Sequence, residues 1–181
     1  MNIDFNKPAN DLAKDLLGKV ICYKDKSGKE TQYMITVTEA YPYNDTNGYI
    51  QRQKETKSGK AYKILSDERN IGKPFLYGGM IYYACEGAYE NGLYLCGNVL
   101  IRGAVQINKN DIILEDAELN FISGKPVVLA EMLDVDNESV SELRILPKPD
   151  WLEIDEPRKD RRIGLNDNNN YRFYILYINK R

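Results

Sequence analysis

The sequence predicts a single α+β domain dominated by antiparallel strands, and three observations support this fold class. The chain has 181 residues, a length typical of one domain with a substantial core. Its composition is 43% hydrophobic and 29% charged, which is ordinary globular usage and argues against disorder. Segments rich in Val, Ile, Leu and Tyr are separated by Gly, Asn and Pro, and only short stretches have helical spacing. Residues 1–181 are therefore expected to form one domain.

The N-terminal part is expected to form a helix followed by a β-hairpin. Residues 8–18 place leucines on one helical face, and Gly18 after them favours helix termination. Strands are predicted over 19–24 and 31–41, where β-branched and aromatic residues dominate. The Ser-Gly pair between these strands supplies the chemistry of a hairpin turn.

The middle of the chain is expected to form a long loop and then a second hairpin. Residues 42–63 are polar and rich in lysine, which predicts a loop that could include one helical turn. The stretch 64–78 is expected to continue irregularly. Strands are predicted over 79–89 and 93–107, joined by an Asn-Gly turn.

The C-terminal part is expected to contain one helix and several short strands. Residues 126–133 have helical spacing, with a proline in the first turn where its missing N–H costs nothing. Prolines separate the short strands that follow. These strands are predicted over 143–146, 150–154, 160–165 and 171–178.

The composition excludes several kinds of catalytic site. The chain has no histidine, which removes imidazole acids and bases and histidine metal sites. It has three cysteines and no C-x-x-C pair, so neither a disulfide framework nor a cysteine zinc site is expected. Any catalysis must use carboxylates, tyrosines, lysines or backbone groups.

The charge and hydropathy of the chain constrain its partners and location. The net charge is −2, which gives no overall support for nucleic-acid binding, although lysines and arginines cluster locally. No apolar run approaches the ~20 residues that span a bilayer. The N-terminus lacks the pattern of a secretory signal. We therefore expect a cytoplasmic protein without a membrane partner.

Six stretches resemble, in order, motifs of the alkyladenine (3-methyladenine) DNA glycosylase family. Each motif alone is weak, but their order and spacing hold over nearly the whole chain. The resemblance implies an α+β fold with a central antiparallel, barrel-like β-sheet flanked by short helices. The stretches are LAKDLLGKVI at 12–21, VTEAY at 37–41, RNIGKPFLYGG at 69–79, VLIRGA at 99–104, SGKPVVLAEMLDVD at 123–136, and RRIGL at 161–165 followed by YRFYI at 171–175.

The resemblance implies a monofunctional DNA glycosylase that initiates base excision repair. Such an enzyme flips a damaged purine out of double-stranded DNA and hydrolyses its N-glycosidic bond without a metal or a cofactor. Glu39 matches the glutamate that activates the attacking water, and Arg102 matches the arginine beside it. Cationic purines such as 3-methyladenine are the expected substrates, because their charge already weakens the bond. The alternative is that Glu39 is an exposed charge at a strand end and Arg102 forms a salt bridge on a strand.

Further residues match the family's base pocket. Tyr41 matches the ring that stacks on the flipped base, and Tyr83 matches a second stacking ring. Tyr49 lies nearest to the position of the family's pocket histidine. Asn91 matches the pocket asparagine that selects against the exocyclic amine of guanine. Packing across strands would equally explain Tyr83, and the hairpin turn is the favoured explanation of Asn91.

The expected DNA-binding residues include one clear departure from the family. Arg69 and Arg162 lie in motifs where phosphate contacts are expected. Glu86 occupies the position of the tyrosine that fills the gap left by the flipped base. A carboxylate at that position would be repelled by the phosphates. The alternative is a shifted register, in which Tyr89 occupies the position, and the sequence leaves both open.

Two other functions remain open from the sequence, and a monomer is expected in each case. The first is a non-catalytic member of the fold that binds single-stranded nucleic acid, a nucleotide-like ligand or a protein. The second is an N-glycosidase that acts on free nucleosides or RNA. A Glu39 buried beside Arg102 would favour an enzyme, whereas a Glu39 exposed to bulk solvent would favour the non-catalytic protein.

Overall fold

The structure is a computed structural model that describes most of the chain. The first residues of the resembling stretch 123–136 lie outside the described part. Within the described residues, no helix is both long and apolar enough to cross a membrane. The described residues are 3–25, 27–54, 56–108, 111–112, 126–165, 168–176 and 178–180.

Short helices precede and interrupt a set of antiparallel strands. In the part of the chain that the structure describes, the helices are α1 (Ala9–Asp15), α2 (Tyr49–Gln53), α3 (Lys60–Leu65) and α4 (Pro126–Leu133), with 3-10 turns at Glu68–Asn70 and Ser139–Glu142. The strands are β1 (Val20–Lys24), β2 (Glu30–Tyr41), β3 (Pro74–Tyr77), β4 (Met80–Glu90), β5 (Leu93–Asn108), β6 (Asp111–Ile112), β7 (Arg144–Leu146), β8 (Leu152–Ile154), β9 (Arg158–Asp160), β10 (Arg172–Tyr174) and β11 (Ile178–Lys180).

The main sheet is antiparallel and curls into a half-barrel, which confirms the predicted fold class. Its strand order is β3-β4-β5-β2-β1-β7, and β8 pairs with β11 in a separate small sheet. The long strand β2 pairs along its length with β5, while its other edge pairs first with β1 and then with β10. A register shift in β2 lies between these two partners, at Ile35–Thr38. Because such irregularities increase strand twist, β2 bends there and its C-terminal end can pair with β10.

Each face of the sheet packs against its own hydrophobic core. The first face packs on α1 and α4, and its core includes Leu12, Ile35, Tyr83 and Leu133. The second face packs on α2 and α3, and its core includes Tyr41, Ile50, Tyr62, Tyr82 and Leu100. Neighbouring residues along β4 and β5 point to opposite sides, so these two strands contribute side chains to both cores. The second face is the one that carries the site.

Most of the predicted elements are present, with some corrections. The second hairpin forms as expected, and Asn91 and Gly92 at its turn have φ values of 52° and 79°. The predicted strand 160–165 is wrong, because β9 ends at Asp160 and Gly164 turns the chain with φ of 78°. The predicted strand 171–178 is divided between β10 and β11, which belong to different sheets. The stretches 42–63 and 64–78 contain α2, α3 and β3.

Candidate active site

Glu39 lies in a row of residues that crosses the sheet. In the strand register, Glu39 pairs with Leu100 of β5 on one side and with Arg172 of β10 on the other. Leu100 in turn pairs with Tyr82 of β4. Residues that face each other across antiparallel strands point to the same side of the sheet. The register therefore brings Glu39, Leu100 and Tyr82 onto the second face, although they come from three separate parts of the chain.

The Glu39 carboxylate is buried and held by three donors. Its side chain is 1% exposed. Oε2 accepts hydrogen bonds from the Tyr41 hydroxyl at 3.1 Å and from the Arg102 guanidinium at 3.4 Å. Oε1 accepts from the backbone N–H of Ile163 at 3.1 Å. A carboxylate offers about four acceptor positions, so the three donors leave room for one further donor such as a water molecule.

Aromatic rings surround the row beside Glu39. The rings of Tyr41 and Tyr82 meet edge to face with centroids 6.3 Å apart, and Tyr82 stacks on Phe75 at 5.3 Å. Tyr49, from α2, contacts Tyr82 at 6.1 Å, so the structure brings this predicted site residue to the cluster as well. Burial raises the pKa of Tyr41, and the nearby Glu39 charge raises it further. Tyr41 therefore remains a protonated donor at any neutral pH.

Tyr83 does not belong to this cluster. The register aligns it with Val99 and Ala40, one residue away from the Glu39 row, so its ring points to the first face. There it is 2% exposed and stacks on Phe5 at 5.5 Å. The expectation that Tyr83 stacks a bound base is therefore corrected, because Tyr82 is the tyrosine that faces Tyr41. Alternation along β4 was the signal that could have identified Tyr82.

Arg162 is an internal cation and does not lie on a DNA-facing surface. It is 2% exposed and forms a buried ion pair with Asp45. It also donates to the backbone oxygen of Ala40 at 3.1 Å, and its guanidinium lies 4.6 Å from the centroid of the Tyr41 ring. The expected phosphate contact is corrected for this reason. Arg162 instead packs on the Tyr41 ring, a role that the sequence did not reveal because its partner Asp45 lies in a long polar loop.

The predicted base-pocket residue Asn91 and the other predicted DNA-binding residues lie on the surface, away from the Glu39 row. Asn91 is at the exposed tip of the β4–β5 hairpin, so it is not near the aromatic cluster around Tyr82. Arg69 is exposed and pairs with Asp67. Glu86 is exposed at a register shift in β4. Tyr89 is 69% exposed, and its hydroxyl donates to Glu68 at 3.3 Å.

One buried polar residue on the second face has no partner. Asn98 of β5 is 1% exposed, and neither its amide oxygen nor its amide nitrogen has a hydrogen-bond partner. It pairs across the strands with Tyr41 and Ala84, in the row next to that of Glu39. Leaving a buried amide unpaired costs about 1–3 kcal/mol for each group.

The fold and the site together place a fixed carboxylate beside a cluster of tyrosine rings. The described residues contain no group of His, Cys, Asp and Glu side chains that could hold a metal ion. Such a site can bind a flat ring and activate a water molecule next to it.

Comparison with known proteins gives the family. The sequence model of the methylpurine-DNA glycosylase family matches residues 3–179, nearly the whole chain, so the chain belongs to this family. A search of curated proteins gives no match. Family membership indicates a DNA glycosylase that acts on alkylated bases.

Proposed function

We propose that the chain is a monofunctional DNA glycosylase that releases cationic alkylated purines, such as 3-methyladenine, from double-stranded DNA. The observation that carries this proposal is the Glu39 carboxylate, buried beside Arg102 with one acceptor position left for a water. A charge kept in water has no need of these partners, whereas a water-activating base must be fixed in place.

In the proposed reaction, Glu39 accepts a proton from a water molecule as that water attacks the sugar carbon. The bond between this carbon and the purine nitrogen breaks, and its electron pair neutralises the positive charge of the alkylated base. The carboxylate also stabilises the positive charge that develops on the sugar. Because the leaving base already carries a positive charge, no acid is needed to protonate it. The absence of histidine from the chain is consistent with this restriction.

The tyrosine rings provide the base-binding part of the proposal. Stacking on an aromatic ring is worth roughly 1–3 kcal/mol per base, which offsets the cost of flipping the base out of the duplex. Tyr41 and Tyr82 are the rings next to Glu39. Tyr82 is only 1% exposed, so a base reaches it only when a covering ring moves. Tyr49 is the candidate, because it is partly exposed and belongs to the short helix α2.

A non-catalytic DNA- or ligand-binding protein is the second candidate, and specific observations favour it. The exposed Tyr89 donates its hydroxyl to Glu68, and Glu86 is an exposed carboxylate on the same strand, so negative charge lies where a wedge would meet the DNA phosphates. A protein that has lost duplex insertion would tolerate such charges. The buried pair of Glu39 and Arg102 argues against loss of catalysis, because an unused buried charge pair is costly to keep.

The decisive experiment is release of 3-methyladenine from methylated duplex DNA by the wild-type chain and by Glu39→Gln. We expect release by the wild type and a loss of at least 100-fold in the variant, the scale of a general base. Glu86→Gln is the matched control, because it removes an exposed carboxylate far from Arg102, and it should keep or increase the activity. Thermal unfolding of each variant confirms that the fold is intact.

Three outcomes would change the proposal. No release from duplex or single-stranded DNA by the wild type would leave the non-catalytic protein as the better function. Release from free nucleosides or RNA but not from duplex DNA would favour an N-glycosidase that acts on those substrates instead. Efficient release of the neutral bases hypoxanthine or ethenoadenine would contradict the restriction to cationic purines.

A further inference from the structure

A second concave surface lies on the first face of the sheet, on the other side from the tyrosine cluster. It is a groove of about 800 Å³ between the β1–β2 turn, the β3–β4 turn and the segment that runs from α4 to the 3-10 turn at Ser139–Glu142. Its floor is formed by four members of the first hydrophobic core, which are Tyr23, Leu76, Ala130 and Val135. The groove is therefore separate from the site around Glu39.

The rim of this groove is acidic. The chain as a whole is balanced, with 25 lysines and arginines against 27 aspartates and glutamates. The groove is not balanced, because no lysine or arginine is among the described residues that line it. The carboxylates that line it are those of Asp25, Glu131, Asp134, Asp136, Glu138 and Glu142.

The fold itself uses only two of these six carboxylates. Asp25 and Asp136 accept hydrogen bonds within their own turns, from Ser27 and Ser139. Between described residues, no hydrogen bond or ion pair engages the side chains of the other four. Lys60, which lines an adjoining groove, bonds to the amide oxygen of Asn137. The rim therefore presents four carboxylates that are available to a cation from outside the chain.

The shape of the groove is that of an elongated docking surface. A second concavity of about 340 Å³ shares Leu76, Gly79 and Asp136 with it and continues along the β3–β4 turn to Tyr77. Both follow the edge of the main sheet, because β3 is the last strand in the sheet order. A small-molecule pocket encloses most of its ligand, whereas the carboxylates of this rim are exposed. The surface therefore fits a segment of a protein better than a small molecule.

We propose that this groove docks a lysine- and arginine-rich segment of a protein partner. The inference does not depend on the glycosylase proposal. Lysine and arginine have an apolar stem and a charged head, so their stems cover the apolar floor while their heads reach the carboxylates of the rim. Nucleic acids and anionic membranes carry the same sign of charge as the rim and are repelled. Because Tyr41 and Tyr82 lie on the second face, a docked partner leaves the candidate active site open.

The test measures the Kd of a fluorescein-labelled oligoarginine peptide at low salt by fluorescence anisotropy. The groove variant combines Glu131→Gln, Glu138→Gln and Glu142→Gln. We expect the Kd of the peptide to rise about 3- to 150-fold in this variant, because three exposed ion pairs are lost and each is worth roughly 1.4- to 5-fold. An oligoglutamate peptide should not bind to either protein. Binding of the oligoarginine peptide should weaken as the salt concentration rises.

The matched control combines Asp4→Asn, Asp150→Asn and Glu156→Gln, which removes the same amount of charge at exposed positions outside the groove. It should keep nearly the wild-type affinity. Glu138→Lys is a second groove variant that should weaken binding in the same direction. Its side chain makes no capping hydrogen bond, so the 3-10 turn should remain intact. Thermal unfolding of each variant checks the fold.

Hydrogen exchange locates the bound peptide. Slower exchange of amides over residues 130–142 would support the inference, whereas slower exchange confined to 37–41 around Glu39 would contradict it. Equal weakening in the groove variant and the control would overturn the inference, because binding would then follow net charge alone. No binding by the wild type at low salt would also overturn it. Spermine that binds as tightly as the peptide would indicate a site for small polyamines and overturn the choice of a protein segment.

Discussion

The hydroxyl of Tyr41 donates a hydrogen bond to Oε2 of Glu39 at 3.1 Å, so one tyrosine of the aromatic cluster also holds the carboxylate. The two residues lie on the same face of β2, two positions apart along the strand. Any base that stacks on Tyr41 is thereby placed at a fixed position relative to the carboxylate. Arg162 adds a cation–π contact to this arrangement, with its guanidinium over the Tyr41 ring.

Replacing Tyr41 by phenylalanine should separate these two roles. Tyr41→Phe keeps the ring that stacks but removes one of the three donors to Glu39. A hydrogen bond to a charged group contributes about 1.5–3 kcal/mol, so we expect kcat for base release to fall about 10-fold or more while KM changes little. Tyr41→Leu should raise KM as well, because stacking is lost. Equal kinetics of Tyr41→Phe and the wild type would show that the hydroxyl has no part in catalysis.

The neighbouring tyrosines of β4 should differ sharply in their effects. Tyr82→Leu removes a ring that contacts Tyr41, and we expect kcat/KM for base release to fall about 5- to 150-fold, from a stacking energy of roughly 1–3 kcal/mol. Tyr83→Phe removes only a buried hydroxyl without a partner, so its activity should be normal and its stability equal or higher. Steady-state kinetics and thermal unfolding measure both. The reverse pattern would mean that Tyr83 forms the pocket.

The sequence was sufficient to predict the fold class and three residues that the structure brings into contact. Strand patterns and the Asn-Gly turn predicted the main hairpins, because both are local signals. Glu39, Tyr41 and Arg102 were identified through motifs, and the structure brings the three together.

The other residues of the site could not be predicted, because their positions depend on contacts between distant parts of the chain. Tyr82 and Tyr83 are adjacent in sequence, and only the register with β5 decides which of them faces Glu39. Arg162 looked like a basic surface residue because its partner, Asp45, is distant in sequence and lies in a loop. Nothing in the sequence indicated that Asn98 would be buried without a hydrogen-bond partner, since that depends on which side chains surround it in the fold.

The buried pair of Arg162 and Asp45 should be a structural support of the site. Arg162→Ala leaves the Asp45 carboxylate buried without this cation and should lower the free energy of unfolding by about 3–5 kcal/mol, and Asp45→Ala, which removes a carboxylate beside a buried guanidinium, should lower it as well. The double variant should lose less than the sum of the two, since both changes remove the same interaction. Arg161→Ala, at an exposed neighbouring position, is the control and should change stability little. Urea unfolding measures all four, and additive losses would contradict a direct pair.

Alkaline pH should destabilise the protein through its buried thiols. Burial raises the pKa of Cys85, and it raises the pKa of Cys96 to about 12. Both thiols are protonated in either state below the unfolded value of about 8.5, so their full contribution to stability is present there. Above that value the unfolded chain loses these protons while the folded chain keeps them. Stability is therefore lost as the pH rises from about 8.5 toward the folded pKa values.

The size of this effect follows from linkage. One titrating group changes the free energy of unfolding by up to about 1.4 kcal/mol per pH unit, so the two thiols together should cost about 2 kcal/mol between pH 8.5 and 9.5. Urea unfolding under reducing conditions at pH 7.5, 8.5 and 9.5 measures it. Cys85→Ala will be less stable at every pH, but its slope above pH 8.5 should be shallower than that of the wild type. Parallel slopes would show that Cys85 ionises as readily in the folded protein as in the unfolded chain.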